Sequence, residues 1–184
     1  MAKITISREN IVTFAYQPED NEKFSCAWAR FIFNLDNWSL TIESDCGNYM
    51  YTGWKPSKKE TFLELCQRLD YAYLLEKISD RSEVNQEKTF EAFKENFNTY
   101  CPDFHYSKDE LKRICFDYKN YNEIYDNIET MLNIYQADLT DAWELIAASI
   151  VTEHPNNAKT IASIYMTYII PEIKKYITKT TLDT

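Results

Sequence analysis

Glycine is scarce in this sequence: only Gly47 and Gly53 occur among 184 residues, where average usage near 7% gives about a dozen. Phosphate-binding loops need several glycines at fixed spacing, because their backbone N–H groups must approach the anion closely. The sequence therefore excludes a Walker loop and a dinucleotide-binding fingerprint. Histidine is equally rare. His105 and His154 lie far apart, which excludes an HExxH motif and any paired spacing of metal ligands.

Paired cysteines and long apolar runs are also missing. The five cysteines are odd in number, well separated and form no CxxC motif, which predicts reduced, mostly buried thiols in a cytosolic protein. Neither a metal nor another cofactor is expected. The N-terminus has no apolar core of a secretory signal, and Pro171, Glu172 and two lysines interrupt the apolar stretch near the C-terminus. We therefore expect a cytoplasmic protein without a membrane span.

The composition is that of a soluble globular protein, with 45% hydrophobic and 27% charged residues. A chain of this length buries roughly 70% of its unfolded surface, so its stability requires no disulfide or metal. We expect a single domain over residues 1–184. The formal net charge of −9 identifies no reaction by itself.

The sequence changes character near residue 56. Residues 1–56 are β-rich with period-two alternation, and residues 57–184 show helical periodicity. This predicts an α+β fold: an N-terminal antiparallel sheet of three or four strands, followed by a five- or six-helix part. Asp36 and Asn37 are expected to supply left-handed residues of a tight turn, and Gly47 a positive φ in the next turn.

Capping residues and prolines predict the helix boundaries. Ser57, with Glu60 three positions later, predicts the start of a first helix that continues to about residue 78. Apolar residues recur over residues 121–135 at offsets typical of one helix, with Asn120 as a break before it. Pro155 is expected to open the last helix, which Pro171 kinks or splits.

The charge pattern is more informative than the total. Residues 120–158 contain no Lys or Arg over 39 positions but seven acids. Three of these, Glu123, Asp126 and Glu129, lie outside the apolar stripe and should face solvent. One interpretation is an ordinary solvated helix face. The other is a surface that imitates nucleic-acid phosphates and competes for a basic groove on a partner. The candidate partner-binding acids are Glu123, Asp126, Glu129, Asp138, Asp141 and Glu144.

Both glycines lie in the stretch that runs from residue 40 to residue 54. A turn followed by inward-facing aromatic residues explains this stretch structurally. The alternative is a recognition edge, since tyrosine gives rigid contact area at a small entropy cost. The candidate residues of that edge are Ser44, Asp45, Asn48, Tyr49 and Tyr51.

The run Ser44-Asp45-Cys46-Gly47-Asn48-Tyr49-x-Tyr51-x-x-Trp54 resembles an S-D-x-G-N-Y-x-Y-x-W signature of small proteins encoded by phages and prophages. The resemblance covers about the first 55 residues, and the chain has one more residue before Trp54 than the pattern. Some such proteins are anti-CRISPR proteins, which inhibit the RNA-guided nuclease of type II systems. The resemblance implies a similar inhibitor, acting in the bacterial host cell on the nuclease with its guide RNA, and it transfers no catalytic residue.

The sequence also contains features that other classes of function would use. The stretch Cys101-Pro-Asp103-Phe-His105 places a thiol near an imidazole, and Glu172-Ile-Lys174 has a nuclease-like spacing, but neither motif lies in the structural context that such chemistry requires. We therefore expect a binding protein rather than an enzyme. One alternative is a nucleic-acid-binding or nuclease accessory protein using basic residues, and another is a phage structural or assembly component. The tyrosines are also compatible with an oligomer. The basic residues are Lys159, Lys174, Lys175 and Lys179.

Overall fold

The computed structural model describes residues 10–19, 24–100, 105–134 and 142–182. Its four-stranded antiparallel sheet comes first and its helices follow, which confirms the predicted α+β class. The chain forms two compact units, the sheet unit (residues 1–80 and 156–184) and the helical unit (residues 81–155). Strands give way to helices near residue 56, but the C-terminal helices belong to the sheet unit. The single domain stays a prediction.

The elements are named here in chain order. The sheet consists of β1 (Ile11–Tyr16), β2 (Ala29–Asn34), β3 (Ser39–Ser44) and β4 (Tyr49–Tyr51), each hydrogen-bonded to the next. Two short strands, β5 (Glu83–Val84) and β6 (Thr152–Glu153), pair with each other. The helices are α1 (Phe62–Gln67), α2 (Tyr71–Ile78), α3 (Gln86–Tyr100), α4 (Lys108–Asp117), α5 (Tyr121–Ile134), α6 (Ala142–Ser149), α7 (Asn156–Ile164) and α8 (Ile170–Leu182), with a π-helical segment (Tyr165–Ile169) between the last two.

The sheet buries one face, as period-two alternation predicts. Phe31 of β2 pairs with Ile42 of β3, and both side chains are completely buried. The ring of Tyr165, in the π-helical segment, lies 5.7 Å from that of Phe31. Its hydroxyl donates a 2.8 Å hydrogen bond to the Cys66 carbonyl of α1. One aromatic residue thus joins the C-terminal helices to both the sheet and the first helix.

The turn between β2 and β3 differs from the prediction. The side-chain oxygen of Asn34 accepts hydrogen bonds from the N–H groups of Asp36 and Asn37, at 3.0 and 3.2 Å. The residue with positive φ is Trp38, at 56°. Asp36 and Asn37 are therefore not the left-handed residues, because the Asn34 side chain closes the turn before the chain reverses.

The first helix begins later than predicted, and it is shorter. Thr61 caps α1, and its hydroxyl accepts a hydrogen bond from the Glu64 N–H at 3.3 Å. The Glu64 carboxylate accepts one in return from the Thr61 N–H at 2.6 Å, which completes a capping box. Asp70 then caps α2. The predicted helix start at Ser57 is therefore wrong, and the helix begins at an equivalent pattern four residues later.

A π-helical segment divides the last helical stretch just before Pro171, where the sequence predicts a kink or a split. The π-helical segment directly precedes α8, and the Ile170 N–H donates to the Tyr165 carbonyl five residues back. Proline lacks an N–H group, and its ring crowds the carbonyl four residues earlier. A wider turn at this point lets the helical path continue past Pro171. Division at this segment and at Asp70 raises the number of α-helices in the described residues above the predicted five or six.

The helical unit has its own core. Helix α3 contacts α4 and α6, and α5 contacts α4 and α6. Its completely buried side chains include Phe93, Phe97, Leu111, Ile124 and Ile128. Within the described residues, no helix combines the length and apolarity needed to cross a bilayer.

Candidate partner-binding surface

Helix α5 carries the three acids that the sequence places outside its apolar stripe. Asn120 precedes the helix, and its side-chain oxygen accepts a 2.9 Å hydrogen bond from the Glu123 N–H, which caps the first turn. Ile124, Ile128 and Met131 are buried at the predicted period. Because this stripe faces the core of the helical unit, the other side of α5 is left to solvent.

The side chains of Glu123, Asp126 and Glu129 are all exposed. Each is three residues from the next, so they rise about 4.5 Å per step and spread over roughly 120° of the helix circumference. In the part of the chain that the structure describes, no Lys or Arg forms an ion pair with any of them. These three carboxylates therefore form an exposed and unneutralised set, which we call the acidic row.

The helical unit holds nearly all of the net charge. Residues 81–155 contain seven Lys and Arg against 15 Asp and Glu, a formal charge of −8. The sheet unit contains 13 against 14, a formal charge of −1, and the two values give the total of −9. A cationic macromolecule is therefore attracted mainly to the helical unit.

Helix α6, which contacts α5, adds one acid and one aromatic residue. Glu144 is exposed, and no described Lys or Arg pairs with it. Trp143 beside it is 59% exposed. Sequence reasoning missed Trp143, because α6 has a single charged residue and its weak periodicity does not show which side faces solvent. Asp138 and Asp141, the other two candidate acids, lie outside the described residues.

Glu153 belongs to the tract of residues 120–158, which contains no Lys or Arg, but a lysine from outside that tract contacts it. Its carboxylate forms a 2.6 Å ion pair with Lys88 of α3, and it accepts a 2.9 Å hydrogen bond from the Asn85 side chain. The pairing of β5 with β6 brings these segments together, with Glu83 opposite Glu153. Lys88, which lies outside this tract, therefore neutralises Glu153, and Glu153 has a structural role.

The predicted recognition edge begins at Asp45, whose carboxylate is bound by the chain itself. One oxygen accepts a 2.9 Å hydrogen bond from the Ala27 N–H, and the other accepts from the Trp28 N–H at 3.3 Å and from the Cys26 thiol at 3.1 Å. These bonds, the Ala27 N–H above all, hold the pKa of Asp45 below its usual value. Asp45 thus joins the β3–β4 turn to the segment before β2.

The turn itself depends on Asn48 and Gly47. The Asn48 side chain accepts a hydrogen bond from the Ser44 N–H at 3.3 Å, and the Ser44 hydroxyl donates to the Gly47 carbonyl at 2.6 Å. Gly47 has a φ of 112°, as predicted, and a Cβ there would lie 2.9 Å from the Tyr49 hydroxyl oxygen. Only glycine fits this position without displacing Tyr49.

The two tyrosines of the edge are half-buried and have structural contacts. The Tyr49 hydroxyl donates to the Cys46 carbonyl at 2.9 Å. The ring of Tyr51 lies 4.8 Å from that of Trp54, and the Lys77 ammonium lies 5.0 Å from the Tyr51 ring centre. The polar atoms of the motif therefore stabilise its own turn. A role in partner binding stays a prediction for Asp45, Asn48, Tyr49 and Tyr51.

The same turn brings two cysteines to one carboxylate. Ala29 pairs with Ser44 in the β2–β3 register, so the residues before β2 lie opposite those after β3. The thiols of Cys26 and Cys46 and a carboxylate oxygen of Asp45 lie within 4.8 Å of one another. Burial, together with hydrogen bonding to Asp45 and Cys46, raises the pKa of the Cys26 thiol to about 12. Sequence reasoning missed this group because Cys26 is about 20 residues away from Asp45 and Cys46 in the chain.

The sequence matches the family Phage_phiTE_072, described as a phage family, over residues 7–177. The chain belongs to this phage family. Neither the curated proteins nor the solved structures contain a match. The match supports the phage part of the sequence resemblance, and it identifies no target.

The alternative functions considered from the sequence, an enzyme and a nucleic-acid-binding protein, depend on residues 101–105 and on residues of the C-terminal helices. Cys101 and Asp103 lie outside the described residues, and His105 is exposed. Glu172 forms a 2.6 Å ion pair with Lys175 on α8. Of the remaining basic candidates, Lys174 and Lys179 are exposed on α8, whereas Lys159 is half-buried on α7.

Proposed function

We propose that this phage-family protein inhibits a host RNA-guided nuclease by occupying its nucleic-acid channel with the acidic row. The observation that carries the proposal is the presence on one helix of three exposed carboxylates that have no ion pair among the described residues, in a unit with a formal charge of −8. The choice of a nuclease rests on the resemblance of residues 44–54 to phage proteins that include such inhibitors. Inhibition takes place in the cytoplasm of the bacterial host.

The physical basis is competition for cationic side chains. A channel that holds nucleic acid is lined with Lys and Arg, which bind the phosphates and release the counterions condensed on the nucleic acid. Carboxylates bind the same groups through charge-assisted hydrogen bonds. Exposed Trp143 on the neighbouring helix supplies the kind of aromatic anchor that dominates many interfaces. This action needs binding alone, with no catalytic step and no cofactor.

The direct test measures binding to the purified nuclease, with and without guide RNA, and separately to duplex DNA. We expect the protein to be retained by the nuclease and to reduce its binding of target DNA, with added DNA reversing the effect. Tight binding of duplex DNA by the protein alone, together with no retention by the nuclease, would contradict the proposal.

A charge-reversal variant tests the acidic row itself. Glu123→Lys, Asp126→Lys and Glu129→Lys together should lower the affinity for the nuclease by at least about tenfold, because attraction is replaced by repulsion. The matched control reverses three other exposed acids of the same unit, Glu83, Glu95 and Asp117, and changes the net charge equally. Circular dichroism verifies folding of both variants. Equal loss in both would show that net charge, and not the acidic row, determines binding.

The exposed lysines of α8 support a second candidate, direct nucleic-acid binding. Lys174, Lys175 and Lys179 are all exposed, although Lys175 is paired with Glu172. Under this alternative, replacing Lys174 and Lys179 with Gln weakens a DNA mobility shift and leaves nuclease retention unchanged. The same two assays therefore separate the candidates.

A further inference from the structure

We propose that Cys26, Asp45 and Cys46 form a binding site for one thiophilic divalent cation, of which Zn²⁺ is the type. The three ligand atoms lie within 4.8 Å of one another in the sheet unit. Two thiolates and one carboxylate are a donor set that Zn²⁺ accepts, with a water in the fourth position of a tetrahedral site. The inference is independent of the proposed inhibitor function.

The distances require only a small adjustment. With bonds of about 2.0–2.3 Å, the ligand atoms around a tetrahedral zinc lie roughly 3.3–3.8 Å apart. The distance between any two of the three ligand atoms must therefore shorten by about 1.5 Å at most. The Cys26 sulfur is already 3.1 Å from one oxygen of Asp45. The side chains of Cys26 and Cys46 are 2% and 4% exposed, whereas Asp45 is exposed and provides the entry path.

Backbone groups already orient the ligands, as outer-shell contacts do in known metal sites. The Ala27 N–H binds the Asp45 oxygen that is not bonded to Cys26, at 2.9 Å. The β2–β3 register and the Gly47 turn fix the two cysteines on either side of this carboxylate. On binding, the Cys26 and Cys46 thiols each release a proton to solvent, and both sulfurs bond to the cation.

Cobalt is the probe, because thiolate ligands give Co²⁺ a charge-transfer absorption. The wild-type protein, reduced and freed of metal, is titrated with Co²⁺ and then with Zn²⁺. We expect one Co²⁺ per chain, with an absorption band that one equivalent of Zn²⁺ removes. No saturable binding, or binding without the band, would overturn the proposal.

Alanine variants locate the site. Cys26→Ala and Cys46→Ala should each weaken cobalt binding at least about tenfold, since the loss of an outer-shell contact alone has an effect of that size. Cys115→Ala, which removes a buried thiol from the helical unit, should change nothing. A band that persists in both site variants would refute the assignment.

A measurement on the wild-type protein keeps the proposal testable if the variants do not fold. X-ray absorption of the zinc-loaded protein should show two sulfur neighbours together with oxygen neighbours. Fewer than two sulfurs would overturn the assignment. So would peptide mapping that finds Cys26 and Cys46 joined as a disulfide in protein kept under reductant.

Discussion

The two units of this protein use their acidic residues differently. In the sheet unit, Glu60 forms an ion pair with Arg68, Glu43 with Arg30 and Glu172 with Lys175. In the helical unit, Glu153 pairs with Lys88 and Glu91 with Lys94, but the acidic row has no such pair among the described residues. Unpaired like charges on one helix lower stability slightly. The acidic row, which has no ion pair among the described residues, is therefore the better candidate for binding a partner.

The largest expected effect tests whether the sheet unit depends on its aromatic core. Phe31 is completely buried beside Tyr165, so Phe31→Ala should lower the free energy of unfolding by about 3–5 kcal/mol. Ile32→Ala, on the same strand but half-buried, should cost roughly 1 kcal/mol. Urea denaturation measures both. Equal losses would show that the two faces of the sheet are equally important.

The next prediction concerns the charge of the helical unit. Raising the salt from about 50 to about 200 mM should slow association with the nuclease roughly tenfold, because screening weakens electrostatic steering. The triple charge-reversal variant of the acidic row should lose most of this salt dependence. Stopped-flow measurements give both rate constants. A wild-type association rate that does not change with salt would show that the charge of the helical unit does not drive binding.

Removing one helix cap from each unit compares the two units more closely. Thr61→Ala removes the cap of α1 and Asn120→Ala that of α5, and each should cost about 1 kcal/mol of unfolding free energy. Only Asn120→Ala should also weaken nuclease binding, because Glu123 lies in the turn that frays. Thermal denaturation and binding assays test this. Equal binding by the two variants would contradict a role for the start of α5.

The smallest expected effect is a pH dependence in the sheet unit. Arg68 binds both oxygens of Glu60, at 2.6 and 3.0 Å, and holds the pKa of Glu60 below its usual value. The ion pair therefore stabilises the fold above the unfolded-state pKa of about 4.3, and this contribution disappears as the pH falls through the lower folded-state value. Urea midpoints measured from neutral pH to about pH 3 test this.

Glu60→Gln should reduce the acid-induced fall in the urea midpoint. Glu129→Gln is the matched control, since it removes an acid that has no ion pair among the described residues. If both variants change the pH dependence of the urea midpoint equally, the ion pair of Glu60 contributes no more to stability than an acid without an ion pair.

Local sequence patterns predicted much of the fold and one part of the candidate site. Helix α5 was predictable because its apolar residues recur at helical spacing, and the same spacing placed Glu123, Asp126 and Glu129 on the solvent side. The start of α1 was not predictable, because Ser57 and Thr61 offer equivalent caps and packing decides between them. The exposure of Trp143 was not predictable either, because the single charged residue of α6 does not define which side of that helix faces solvent.

The sequence alone determined the α+β class, the positive φ at Gly47 and the acid-rich, cation-free tract, because each depends on residues close together in the chain. Tertiary structure alone decided that Lys88 neutralises Glu153 and that Cys26 meets Asp45 and Cys46. These contacts join segments about 20 to 65 residues apart. Strand register creates them, and register is set by the packing of the whole sheet rather than by any local pattern.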